Sequence, residues 1–181
     1  MDTLNTLVAD VRSAAAVEQE DFRVEPRPLP LATLLEDAEA YASTLPSDHP
    51  VKVTLNDGLD THERVLADPK RVGQVLRNLL SNAAKYSPEG ALIELRAARS
   101  GRRHIRVEVA DHGEGIHPDD VTRIFEKFGR GRNGKGEAKV AGVGLGLYLS
   151  RRIAQAHGGE LTVVTKHGEG STFGFELGTL S

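Results

Sequence analysis

The sequence predicts an α+β sandwich, a mixed sheet covered on one face by helices. Three observations lead there. Apolar residues recur at helical spacing in several separate stretches, others alternate with a period of two, and the last strands are joined by hairpin-length connections. At 181 residues the chain is long enough for one core of ordinary size with a short appendage. Hydrophobic residues make up 39%, charged residues 27% and aromatics 4%, so the core must rely on Leu, Val, Ile and Ala. No cysteine is present, which excludes disulfides, thiolate metal sites and cysteine nucleophiles and permits a reducing, cytoplasmic setting. No apolar run approaches the roughly 18 to 20 residues that span a bilayer, and the start lacks the layout of a secretory signal. Net charge is -3, from 23 Lys+Arg against 26 Asp+Glu, which gives no electrostatic reason to expect nucleic acid as a partner.

From Asp2 to Glu20, Leu4, Leu7, Val8, Val11, Ala14 and Ala15 fall at helical spacing. This amphipathic helix either packs with another helix or chain, or folds back on the main domain. The prolines at 26, 28 and 30 cannot continue it, so residues 23–30 read as a linker. Three parts follow: a helical remnant over 1–22, the linker, and a main domain over 31–181.

Within the main domain, Leu31 to Leu45 reads as a helix and Val51, Val53 and Leu55 alternate as a strand. Asp68-Pro69 supplies a cap and a first-turn proline for a second helix, whose apolar positions Val72, Val75, Leu76, Leu79, Leu80 and Ala83 make one face. Leu92–Ala97 and His104–Ala110 read as strands joined at Ser100-Gly101. A short apolar helix is expected around Val121–Phe128, another over Leu145–Ala156 ending at His157-Gly158-Gly159, and strands over Leu161–Thr165 and Phe173–Leu177.

Four features carry chemistry. At about 100° per residue, Asn78, Asn82 and Lys85 lie within roughly 60° of one another beside the apolar face of their helix, either as the rim of a pocket or as an ordinary polar flank. An amide oxygen there suits Mg²⁺, and a lysine one turn on can meet phosphates. Asp111 continues the period-two row of Ile105, Val107 and Val109, so its carboxylate is aimed toward the apolar side. It either accepts a hydrogen bond there, as from the amine of adenine, or starts the following turn through its own backbone contacts.

Gly142-Val143-Gly144-Leu145-Gly146 opens a helix, where closely approached N–H groups and the helix dipole favour an anion. Neither a preceding strand of a βαβ unit nor a P-loop Lys-Ser/Thr accompanies it. Between Gly129 and Ala141 stand Arg130, Arg132, Lys135 and Lys139 against the single anion Glu137, in a stretch that reads as a cationic lid or as a solvated linker.

These features in this order resemble the nucleotide-binding catalytic domain of sensor histidine kinases, in the superfamily that also holds type II topoisomerases, Hsp90 chaperones and mismatch-repair ATPases. Arg71–Pro88, RVGQVLRNLLSNAAKYSP, resembles the N box and Asp111–Ile116, DHGEGI, the G1 box. Ile124–Phe128, IFEKF, resembles the F box, Gly142–Leu147, GVGLGL, the G2 box, and Gly170-Ser171-Thr172-Phe173 the last glycine motif. The resemblance covers Leu31 to Leu177.

It implies a Bergerat-type ATP-binding fold and an ATP-dependent protein-histidine kinase. ATP and Mg²⁺ would be bound with Asn82 on the metal, Asn78, Lys85 and Arg130 near the phosphates, and Tyr86 against the nucleoside. Asp111 would read adenine with Thr172 beside it, and Gly113, Gly115 and Ile116 would shape the floor. Gly142, Val143, Gly144, Leu145 and Gly146 would hold the phosphates.

Superfamily ATPases place a glutamate one turn before the metal-binding asparagine, where this chain has Asn78. The resemblance further implies a phosphoacceptor histidine on a dimerisation hairpin ahead of the linker, a homodimeric parent and a response-regulator receiver as partner. Here the first histidine is His49, expected in a surface loop, so the chain reads as truncated within the dimerisation domain.

Overall fold

The computed structural model describes residues 22–45, 48–56, 58–60, 62–131 and 144–180, together with Val8 and Val11. Val8 and Val11 are helical and exposed, and the rest of the helix expected over 2–20 lies outside the described residues. The elements run β1 (Arg27–Pro30), α1 (Leu31–Ala42), β2 (Val51–Leu55), β3 (Arg64–Ala67), α2 (Pro69–Tyr86), β4 (Ile93–Arg99) and β5 (His104–Asp111). Two 3₁₀ turns, Pro118–Asp120 and Arg123–Phe125, are followed by α3 (Gly146–Ala156), β6 (Thr162–Lys166) and β7 (Gly170–Thr179).

The strands form one mixed sheet in the order β1-β3-β7-β5-β4-β2, with β6 also on β7. Every pairing is antiparallel except β2 with β4. β7 gives one edge to β5 along eight register pairs and divides the other, β6 taking Gly170–Gly174 and β3 taking Gly178 and Thr179.

Period-two alternation then sorts the faces. Ile93, Leu95, Ile105, Val107, Phe173, Phe175 and Leu177 point to one side, where Leu34 and Leu35 of α1, Leu76, Leu79 and Leu80 of α2 and Ile153 of α3 cover them. The other side carries ion pairs within single strands, Arg96 to Glu94 and Arg106 to Glu108, both at 2.6 Å, and Arg106 also donates to Thr162 at 2.7 Å. The expected sandwich is thus present.

α2 begins as expected. The Asp68 carboxylate accepts from the Arg71 N–H at 3.1 Å and Pro69 occupies the first turn. All six expected apolar positions of α2 are buried. Among the described residues no helix is long and apolar enough to cross a membrane.

The structure corrects three expectations. Residues 27–30, inside the expected linker, are an edge strand on β3, with Leu29 in the core at 8% exposure. The Leu31 N–H donates to Glu63, so by alternation the N–H groups of Arg27 and Leu29 face β3, and the ring nitrogens of Pro28 and Pro30 face the open edge, where a missing donor costs nothing. The partner β3 was itself unforeseen.

The helix expected around Val121–Phe128 is instead the second 3₁₀ turn, capped at Glu126, with Phe128 beyond it in the left-handed region at φ 62°. Its β-branched Val121, Thr122 and Ile124 favour helix weakly, and the short turn already buries Ile124 and Phe125. His49, expected on the surface, is half-buried, with Nδ1 2.9 Å from the Ala91 carbonyl and Nε2 3.1 Å from that of Ala84.

Leu29→Ala tests β1. A strand side chain seated in the core predicts a loss of about 2–4 kcal/mol in denaturant unfolding. A tethering linker would lose almost nothing.

Candidate nucleotide site

The site lies where the C-terminal half of α2, the end of β5 and the start of α3 meet. Asn78 leaves the flank of α2 toward α3, and its Nδ2 donates to Ser150 Oγ at 2.9 Å. Ser150 is 2% exposed, so this is a buried polar bond between two helices. The close approach has a visible requirement at Gly146, where a Cβ would fall on the Asn78 amide oxygen. Asn82, one turn further on, is half-buried, and its amide takes no partner among the described residues.

Lys85 and Tyr86 end the helix, with Lys85 Nζ 5.4 Å from the centre of the Tyr86 ring. Burial first, and the positive charge of Arg130 second, hold the Lys85 pKa below the ordinary lysine value. Burial likewise raises the Tyr86 phenol, against a smaller opposing pull from Arg130. Arg130, from the turn after Phe128, therefore stands within electrostatic reach of both. Two cations held near one another in a partly desolvated place suit an anion between them.

Asp111 is half-buried on the helix-covered face, as its alternation with Val109 predicts. Its Oδ1 accepts from the Gly113 N–H at 2.9 Å and the Ser171 N–H at 3.2 Å, so it does start the turn. Oδ2 receives no bond from the described residues. Burial raises the carboxyl pKa, and the two backbone bonds and His112 oppose that rise.

The turn that follows is fixed to β6, because the Ile116 N–H donates to Thr165 Oγ1 at 2.9 Å while the Ile116 side chain packs on the core. Gly113 lies against the Tyr86 carbonyl, and Gly115 sits at φ 66° against that of Lys166. Leu145 is buried just ahead of α3, and Gly144, at φ 73°, lies against the backbone of Phe128 and Gly129. Gly142 and Val143 lie outside the described residues, as do Arg132, Lys135 and Lys139 of the expected lid.

Asn78, Asn82, Lys85, Tyr86, Asp111 and Arg130 are thus gathered in one region, but Thr172 is not with Asp111. Thr172 pairs with Ala110 on the opposite face of the sheet, and Ser171 is the residue in register with Asp111. Sequence reasoning missed Ser171, Ser150 and Thr165. The alternation of Phe173, Phe175 and Leu177 carried back by one step would have found Ser171.

The chain matches the family described as histidine kinase-, DNA gyrase B-, and HSP90-like ATPase over residues 67–180. The chain belongs to this family. It is 30% identical over 172 residues to the aerobic respiration control sensor protein ArcB of Escherichia coli K12, covering 94% of this chain and 22% of ArcB. It is 42% identical over 117 residues to the sensor-like histidine kinase SenX3 of Mycobacterium bovis, covering 65% of this chain and 28% of SenX3. Full-length ShkA in complex with AMPPNP superposes with a TM-score of 0.80 at 31% identity, over 99% of this chain and 37% of that structure. The chain therefore spans less than a third of the length of either sensor kinase and is an ATP-binding catalytic domain of the histidine-kinase type.

Two predictions follow from the geometry. Gly146→Ala should displace the Asn78 amide and cost about 1–3 kcal/mol in denaturant unfolding, whereas Gly90→Ala, with open space around it, should cost no more than its positive φ imposes, about 1 kcal/mol. For Asp111 the folded pKa is raised, so its contribution to stability is full below the unfolded value and is lost as pH rises through the folded one. The stability of the wild type minus that of Asp111→Asn should therefore fall as pH rises above the ordinary carboxylate range. A flat difference would put the carboxyl in water.

Proposed function

We propose that this chain places ATP so that its γ-phosphoryl group passes to a histidine on a dimerisation hairpin of a homodimeric parent kinase, for relay to the receiver domain of a response regulator. The proposal sets the domain in the cytoplasm, a compartment that a cysteine-free chain suits. Asp111 Oδ2 would accept from the adenine amine, Tyr86 would lie along the nucleoside, and Lys85, Arg130 and the Gly142–Gly146 turn would face the phosphates.

Among the described residues no cluster of three or more His, Asp or Glu side chains could hold a metal by itself. The half-buried Asn82 amide instead fits Mg²⁺ that arrives on phosphate oxygens, where it would neutralise developing charge.

The observation that carries this reading is the commitment of Asn78. At the position where superfamily ATPases hold a glutamate, this chain has an amide already bonded to Ser150. It has no basic lone pair with which to activate water. Phosphoryl transfer needs chiefly positioning and charge stabilisation, so the domain can do without that base if the acceptor brings its own nucleophile. An imidazole nitrogen then bonds to the γ-phosphorus as the bond to the β-phosphate oxygen breaks and ADP leaves. His49 is a poor candidate for that nitrogen, since both its ring nitrogens meet backbone carbonyls.

Incubation with labelled ATP and Mg²⁺ tests the proposal. The chain alone should stay unlabelled and release little phosphate, while the parent's histidine-bearing hairpin, supplied separately, should gain acid-labile label at a rate that rises with hairpin concentration. Acid-stable label on the chain, or rapid phosphate release, would overturn the reading in favour of a serine kinase or an ATPase.

A further inference from the structure

Leu145 and Leu149 stand one turn apart at the start of α3, each 2% exposed, yet they form a small cluster apart from the main core. Among the described residues that cluster is covered by Tyr148, its own neighbour, and by Phe22. Phe22 comes from ahead of β1, outside the matched family region, and it also touches the main core. The Arg71 guanidinium of α2 lies over its ring at 5.2 Å. A residue of the entering segment thus seals the first turn of the helix that follows the glycine turn.

The entering backbone is tied down again three residues later. The Glu25 N–H donates to Asp68 Oδ2 at 3.2 Å, while Asp68 Oδ1 caps α2 through Arg71. The Asp68 N–H in turn donates to His157 Nε2 at 3.0 Å, and His157 Nδ1 meets the Ile153 carbonyl at 2.8 Å. The entering segment therefore bears on α3 at both ends, directly on Leu145 and Leu149 and through Asp68 on His157.

We propose that Phe22 is a positioning residue for nucleotide binding, which by sealing Leu145 and Leu149 holds the chain from Gly144 through the first turn of α3 to Leu149 in place and couples the posture of the entering segment to occupancy of the site. Backbone donors aimed at phosphate lose their value when displaced by about an ångström, so a loosened first turn weakens binding without removing any ligand-touching group. Coupling of this kind is reciprocal: nucleotide must stabilise the docked segment by the same factor by which the docked segment strengthens nucleotide binding.

The inference rests on the nucleotide reading above, and a wild-type chain that binds no ADP would sink that reading first. With binding established, Phe22→Ala in the whole chain should weaken Mg²⁺-ADP about tenfold in calorimetric titration, and Phe22→Tyr, which keeps the ring, should restore it. In hydrogen exchange the Glu25 amide of the wild type should slow when ADP is added. A folded Phe22→Ala chain that melts earlier but binds ADP as the wild type does would reduce Phe22 to core filling and overturn the proposal. Should Phe22→Ala fail to fold, the wild-type exchange decides, since a Glu25 amide indifferent to ADP overturns it equally.

Discussion

The pairing of β5 with β7 is the constraint on which both core and site depend. Eight register pairs run from His104 opposite Gly178 to Asp111 opposite Ser171. Along the inward row each pair is apolar until the last, so the site is the polar end of the core's own alternation. A slip of one residue would turn that row to the solvent face and bring Asp111 opposite Gly170 or Thr172. Gly170 holds the register from the other side, since a Cβ there would fall on the Asp111 carbonyl oxygen. The carboxylate that burial disfavours is thereby kept in place by the Ser171 N–H of β7 and the Gly113 N–H of the turn after β5.

The contact between α2 and α3 builds the second half of the site on that frame. α2 buries its apolar face in the core, but Asn78 leaves the flank and its Nδ2 donates to Ser150 of α3. A buried amide and hydroxyl that bond each other contribute modestly to stability, whereas either left alone would cost about 1–3 kcal/mol. The pair therefore specifies the distance between the helices more than it glues them, and Gly146 is the vacancy that allows that distance. Once set, it fixes where the first turn of α3 stands against the flank of α2 at Asn78.

Much of this was legible in the sequence, because α2 and β5 are long elements with unbroken periods. Six apolar positions at helical spacing gave the buried face of α2, and Ile105, Val107 and Val109 gave the direction of Asp111. The misreadings have local causes. Prolines 28 and 30 argue against a strand unless one knows that they face an open edge, and that depends on pairing with β3, which lies more than thirty residues further along the chain. The last glycine motif points to Thr172, whereas the alternation of its own strand puts Ser171 on the inward face opposite Asp111. The angular position of Asn78 on its helix was right, but angle alone does not say which neighbour will take the amide.

The two halves of the site differ in what holds them. Asp111 and the turn after it are bound to the sheet through Ser171 and Thr165, so that end is tied to two strands of the core. The cationic end is held less evenly. Arg130 follows Phe128, a left-handed non-glycine residue 58% exposed to solvent, a conformation that costs on the order of 1–3 kcal/mol unless its surroundings impose it. What surrounds it is Gly144, whose backbone lies against Phe128 and Gly129 with no room for a Cβ. The strain at Phe128 and the pose of the glycine turn are therefore one contact seen from two sides, and a change at either is felt by the other. Charge reinforces the link, because burial first and the nearby Arg130 charge second lower the Lys85 pKa, and an anion near both would favour their charged forms. Gly144, the left-handed Phe128 and the neighbouring cations Lys85 and Arg130 therefore answer to one another, while Asp111 answers to the register of β5 on β7.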